Sequence, residues 1–135
     1  MGNRTVLPEG WRRPKGYSNA VVAQGRQIYV AGQVGWDSEE RFNSDDLAEQ
    51  ATQALRNVVA VLEAAGAGPE HIVRMTWYVT DKAAYIAGLK EIGEAYREII
   101  GRNFPAMTAV EVTALVEDRA KVEIECTAVV DEDSG

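Results

Sequence analysis

Apolar positions along the chain change their spacing several times, and each change marks an element. After a polar start broken by Pro8, Gly10 and Pro14, apolar residues cluster at Tyr17 to Ala23 and at Gln27 to Ala31. Gln24-Gly25-Arg26 lies between them, and a glycine there can take a positive φ, so the two runs predict a hairpin. From Leu47 the step lengthens to three and four residues, through Ala51, Ala54, Leu55, Val58, Leu62 and Ala65. This predicts a helix with one apolar face. Ser44 can cap its start, Asp46 with Glu49 offers an alternative capping box, and Gly66 suits the left-handed stop. His71 to Thr80 reads as a strand that is apolar on both faces toward its end, and therefore central. Asp81 caps a second helix carrying Tyr85, Leu89, Ile92, Tyr96 and Ile99, and Gly101 stops it. Two alternating strands follow. One opens after Pro105 and sets Thr108, Val110 and Val112 against Met107, Ala109 and Glu111. The other, Ala120 to Val130, sets Val122, Ile124 and Cys126 against Glu123 and Glu125.

The order is β-β-α-β-α-β-β, an α+β chain whose two helices pack on one face of a mixed sheet. One domain over 1–135 is expected, with an irregular arm over 1–15 and a solvated tail over 131–135. Gly32 suits a bulge or a close backbone approach. If the last two strands pair, Met107 and Glu123 come near the same spot. The sheet face without helices still carries Val, Tyr and Thr side chains, so a second subunit is the natural cover, with a pocket at the seam.

Charge and chemistry narrow the function. The net charge of −7 sets the surface against phosphate backbones, which makes nucleic acid an unlikely main partner. One cysteine cannot form an internal disulfide, and one histidine with one cysteine cannot make a standard zinc site. No apolar run is long enough for a membrane span and no secretory signal is visible, so a cytoplasmic protein is expected. Cys126 reads as a buried structural thiol, His71 as a surface histidine, and Trp11, Trp36 and Trp77 as packing residues.

Several segments in order resemble the Rid family, also called YjgF/YER057c/UK114. They are Gly16-Tyr17-Ser18-Asn19-Ala20-Val21, Ile28 through Gly35, Ala54 through Gly66, Val73 through Asp81, Phe104-Pro105-Ala106 and Val122-Glu123-Ile124-Glu125. The resemblance implies a chorismate-mutase-like subunit and a homotrimer with clefts between subunits. It also implies hydrolysis of enamines and imines to carbonyl compounds and ammonia, without metal or cofactor. In such proteins an arginine after Pro-Ala clamps the substrate carboxylate, and a tyrosine and a glutamate help place substrate and water. Tyr17 and Glu123 match the last two, as the catalytic pair. Gly32, Thr108 and Ala109 fall on the substrate side, and Lys90 falls near a cleft-lining asparagine.

Met107 stands where the arginine would be. A thioether cannot replace a bidentate guanidinium–carboxylate pair. The resemblance therefore points to an arginine-lacking branch with a substrate other than small 2-imino acids, and to Met107 as a soft wall for an apolar or larger ligand. Lys90 or, less readily, Arg102 could supply the missing charge. Each residue also has a plainer reading: Met107 as core filling, Glu123 as a solvated strand residue, Tyr17 as an interface aromatic, Lys90 as a surface lysine. Two other functions compete, a non-catalytic trimer that binds a metabolite or acts like a chaperone, and a ribonuclease.

Overall fold

A computed structural model describes residues 3–132. Its strands and helices are β1 (Arg4–Val6), β2 (Ala20–Val22), β3 (Arg26–Val34), α1 (Leu47–Ala64), β4 (Ile72–Val79), α2 (Lys82–Ala87), α3 (Leu89–Ile99), β5 (Ala106–Glu111) and β6 (Val122–Val130). A short 3₁₀ turn at Pro69–His71 leads into β4. The end of the predicted tail, from residue 133, lies outside the described residues, as do the first two residues of the arm.

The apolar stripe of α1 is buried as its spacing predicts. Ala51, Ala54, Leu55, Val58 and Leu62 are fully enclosed against the sheet. Each large side chain among them contributes about 1.5–3 kcal/mol by leaving water. Asp46 is the residue that caps α1, accepting from the Glu49 amide, while Ser44 accepts from the Asp46 amide and donates to the Glu49 carboxylate. Gly66 and Gly101 both take positive φ, 80° and 94°, where the two helical segments end. The second helix is broken in two at Gly88. A β-carbon there would sit 3.4 Å from the Ala48 β-carbon, so this glycine marks the close approach of the helix pair to α1.

The main sheet runs β3-β6-β4-β5, with β6 antiparallel to both neighbours and β4 parallel to β5. Two expectations fail here. The last two strands do not pair, because β4 lies between them. Nor do β2 and β3 form a hairpin: β2 pairs back onto β1 in a separate two-stranded sheet, and β3 takes β6 as its partner. The arm is thus not irregular throughout, since Arg4–Val6 is a strand. Trp11 is 61% exposed, so packing is the role of Trp77 and Trp36 only. His71 does have a partner: its Nδ1 accepts from the Gly68 amide and closes the 3₁₀ turn.

Among the described residues one polar side chain is buried in the core, Gln50. Its Nε2 donates to the carbonyls of Ser44 and Arg119, and its Oε1 accepts from the Lys121 amide. Gln50 thereby ties the start of α1 to the start of β6, two residues before Glu123. Replacing it with leucine would leave those backbone groups buried and unpaired, at about 1–3 kcal/mol each. Gln50→Leu is expected to lower unfolding free energy by about 2 kcal/mol or more in urea titration.

Candidate functional site

Strand register decides which candidate side chains can meet. Residues paired across neighbouring strands share a face. Met107 pairs with Met75 and Ala109 with Trp77, both buried beneath the helices. Glu123 pairs instead with Tyr78, and Glu125 with Thr76, on the opposite face. Thr108 pairs with Thr76, so it belongs to that second face as well. Met107 and Glu123 therefore do not meet within one chain, which corrects the expectation built on adjacent strands.

On the helix side, Met107 and Ala109 line a cavity of about 350 Å³. Its floor and walls include Trp77, Tyr85, Ile92, Tyr96 and Phe104. The Tyr96 and Phe104 rings stack at 5.9 Å, and Tyr96 donates to the Asn103 carbonyl at 2.6 Å. Burial pushes the Tyr96 and Tyr85 hydroxyls above their ordinary range, so both remain neutral. Tyr17 closes one side. Ser18 pins that segment to the start of β5: its amide donates to the Pro105 carbonyl at 3.0 Å and its hydroxyl donates to the Phe104 carbonyl. Tyr17, Met107 and Ala109 thus come together. Lys90 does not join them; it is exposed and absent from the lining. The cations that do line the cavity are Lys15 and Arg97. Arg102 lines a second cleft with Arg13, sharing only Tyr17 and Phe104 with the first.

On the other face, Gly32 lies at a register shift of the β3–β6 pairing, between Val30 and Gln33. A β-carbon on Gly32 would fall 1.9 Å from Glu123 Oε2, so the carboxylate occupies the space a side chain would need. Beside it, Tyr78 donates to Glu125 at 2.6 Å. That hydrogen bond, with burial and the nearby Glu125 and Glu123 charges, raises the Tyr78 hydroxyl above its usual value. Cys126 is buried on the helix side, and burial together with Glu125 pushes its thiol up to about 12, far from a working thiolate. Among the described residues no group of three or more His, Cys, Asp and Glu is placed to hold a metal ion. None of their helices is long and apolar enough to cross a membrane.

Two features escaped the sequence reading. Arg97 in the cavity wall was one, and its signal was a mid-helix glycine, Gly93, one turn before it. The other was the separation of Glu123 from Met107, which has no local signal because it follows from which strands pair.

Residues 12–130 match the family described as Endoribonuclease L-PSP. A human protein named 2-iminobutanoate/2-iminopropanoate deaminase is 37% identical over 114 residues, covering 84% of this chain and 79% of that protein. The crystal structure of YyfB, a Rid-family protein from Yersinia pestis, superposes with a TM-score of 0.85 at 33% identity, covering 96% of this chain and all of the other. Escherichia coli TdcF, solved with bound serine, gives a TM-score of 0.67 at 26% identity over 95% of this chain and 99% of its own.

The contact between Gly32 and Glu123 is testable on its own. A glutamate side chain can swing away, so Gly32→Ala is expected to displace the carboxylate and to lower the melting temperature slightly. Adding Glu123→Ala should restore that loss. A double variant less stable than Gly32→Ala would show that the pressure falls elsewhere.

Proposed function

Because the chain belongs to the Endoribonuclease L-PSP family, which is the YjgF/YER057c/UK114 or Rid family, we propose that it hydrolyses an imine or enamine larger and more apolar than the small 2-imino acids. The observation that carries this reading is the position of Met107. It lines an aromatic-walled cavity beside Tyr17 and Ala109, and no carboxylate stands among the lining residues. A thioether in that wall favours an apolar body over a compact anion.

The chemistry needs water and a base. Water adds through its oxygen to the imine carbon, and the carbinolamine so formed loses ammonia as its C–N bond breaks, leaving the carbonyl. Glu123 suits the role of the base that takes a proton from water and returns it to nitrogen. Tyr17 would orient the ligand or the water, and the Ala109 backbone N–H, on the outer edge of β5, is available to an anionic end. Glu123 and the cavity lie on opposite faces of the sheet. The two halves work together only if the Gly32–Glu123 face of one protomer closes over the cavity of another. A homotrimer with clefts between subunits would achieve this, and the open sheet face, with Tyr29 at 73% exposure, supports such an assembly.

The same split favours one alternative. A cavity without a carboxylate of its own could bind a metabolite and leave it unchanged, as a non-catalytic binding protein would. The family description also names an endoribonuclease, but the charge of −7 weighs against RNA as the substrate.

Ammonia release from freshly generated imines separates these readings. Glu123→Ala is expected to cut the rate by about a hundredfold or more with ligand binding retained, in line with loss of a general base. A variant as fast as the parent would remove Glu123 from the mechanism. Met107→Arg is expected to raise activity on 2-iminopropionate, measured against the parent at equal folded concentration. No gain in a folded variant would count against a missing carboxylate clamp at this position.

A further inference from the structure

The cavity beneath α2 and α3 carries three features that catalysis by Tyr17 and Glu123 leaves unused. The first is Gly93, inside α3. A glycine there weakens a helix relative to alanine, so its presence calls for a local reason. Gly93 lines the cavity, and so does Arg97 one turn later. Side chains on a helix lean toward its N-terminus, and Arg97 does so. Its Nη1 lies 3.9 Å from where a Gly93 β-carbon would be. A larger side chain at 93 would cover the ground over which the guanidinium reaches.

The second feature is charge. Arg97 and Lys15 are the cations of the lining, no carboxylate lines the cavity, and neither cation is in an ion pair among the described residues. On a chain of net charge −7, two free cations over one apolar cavity form a local exception. The third is Trp77. Its ring lines the cavity and is 2% exposed, yet its Nε1 has no hydrogen-bond partner. A buried N–H left unpaired is unfavourable, and a ligand acceptor would relieve it.

We propose that Arg97, with Lys15 beside it, is the anion-recognising group of this cavity, in place of a cation at position 107, and that the ligand is a carboxylate with a ring-sized apolar body. The claim rests on reading this cavity as the substrate pocket. The volume of about 350 Å³ is in the range of small-molecule sites. A three-carbon acid would leave most of the aromatic wall uncovered. A body the size of a phenyl ring would meet Trp77, Tyr85 and Phe104, and a carbonyl or imine nitrogen on it offers the acceptor that the Trp77 N–H lacks. Guanidinium is the suited partner for the carboxylate because its fork can donate two parallel hydrogen bonds.

Isothermal titration with phenylpyruvate tests this, with phenylacetone as the uncharged control of similar shape and pyruvate as the small anionic control. Phenylpyruvate is expected to bind at least about tenfold more tightly than either control. Arg97→Gln should weaken phenylpyruvate about ten- to a hundredfold, the usual loss for a hydrogen bond to a charged group, and leave phenylacetone unchanged. Arg97→Lys should fall between. Arg97→Gln with parental affinity for phenylpyruvate overturns the role of Arg97, and pyruvate binding as tightly as phenylpyruvate overturns the ring-sized ligand. Ammonia release from the imine of phenylalanine, followed in parallel, keeps the two proposals apart. Arg97-dependent binding without ammonia release would sustain this inference and sink the hydrolase. Ammonia release with affinity indifferent to Arg97 would do the reverse.

Discussion

The pairing of β4 with a strand on each side is the constraint from which the rest follows. Because β4 is hydrogen-bonded to β6 and to β5, its alternating side chains define two environments. Met75, Trp77 and Val79 go under the helices, and Thr76 and Tyr78 go to the open face. Every neighbour in register inherits one or the other. Met107 and Ala109 are thereby committed to the cavity, and Glu123 and Glu125 to the outside. A slip of one residue in either pairing would exchange the two sets.

That commitment gives the chemistry its shape. The helix face supplies an aromatic-walled enclosure edged by Lys15 and Arg97, in which burial keeps Tyr85 and Tyr96 neutral. The open face holds two carboxylates and a tyrosine whose proton is held by Glu125. Neither half is complete for hydrolysis. In the proposed reaction one would hold an apolar acid and the other would move a proton, and a second protomer would bring them together. The same division explains why the Cys126 thiol is buried and held protonated although it lies on the same strand as Glu123: its side chain is turned inward.

Much of this was legible in the sequence where the signal was local. The three- and four-residue spacing from Leu47 to Leu62 gave α1, and the alternation of Val122, Ile124 and Cys126 gave β6, because a helix face and a strand face are periodic properties of adjacent residues. The turn at Gly25 looked like a hairpin for the same local reason and was not one. The partner of β3 is almost a hundred residues away, and a turn glycine carries no information about that. Nothing local marks Gln50, since a glutamine on a helix normally faces water. Here its three backbone partners come from segments far apart in sequence. Lys90 was placed near the cleft on resemblance alone, yet the helix face turned to the cavity is that of Leu89, Gly93 and Arg97.

The place of β6 has a consequence for how such a chain comes to be folded. It follows every other strand in sequence, yet it separates β3 from β4 and is hydrogen-bonded to both. During synthesis from the N-terminus, β3 and β4 leave the ribosome with no strand between them, and their bare backbone edges wait for it. Closure of the sheet is therefore a late, long-range event, slow relative to helix formation, and in the interval the apolar side of α1 has only a partial surface to rest on. The strand that carries Glu123 is also the one whose arrival completes the core.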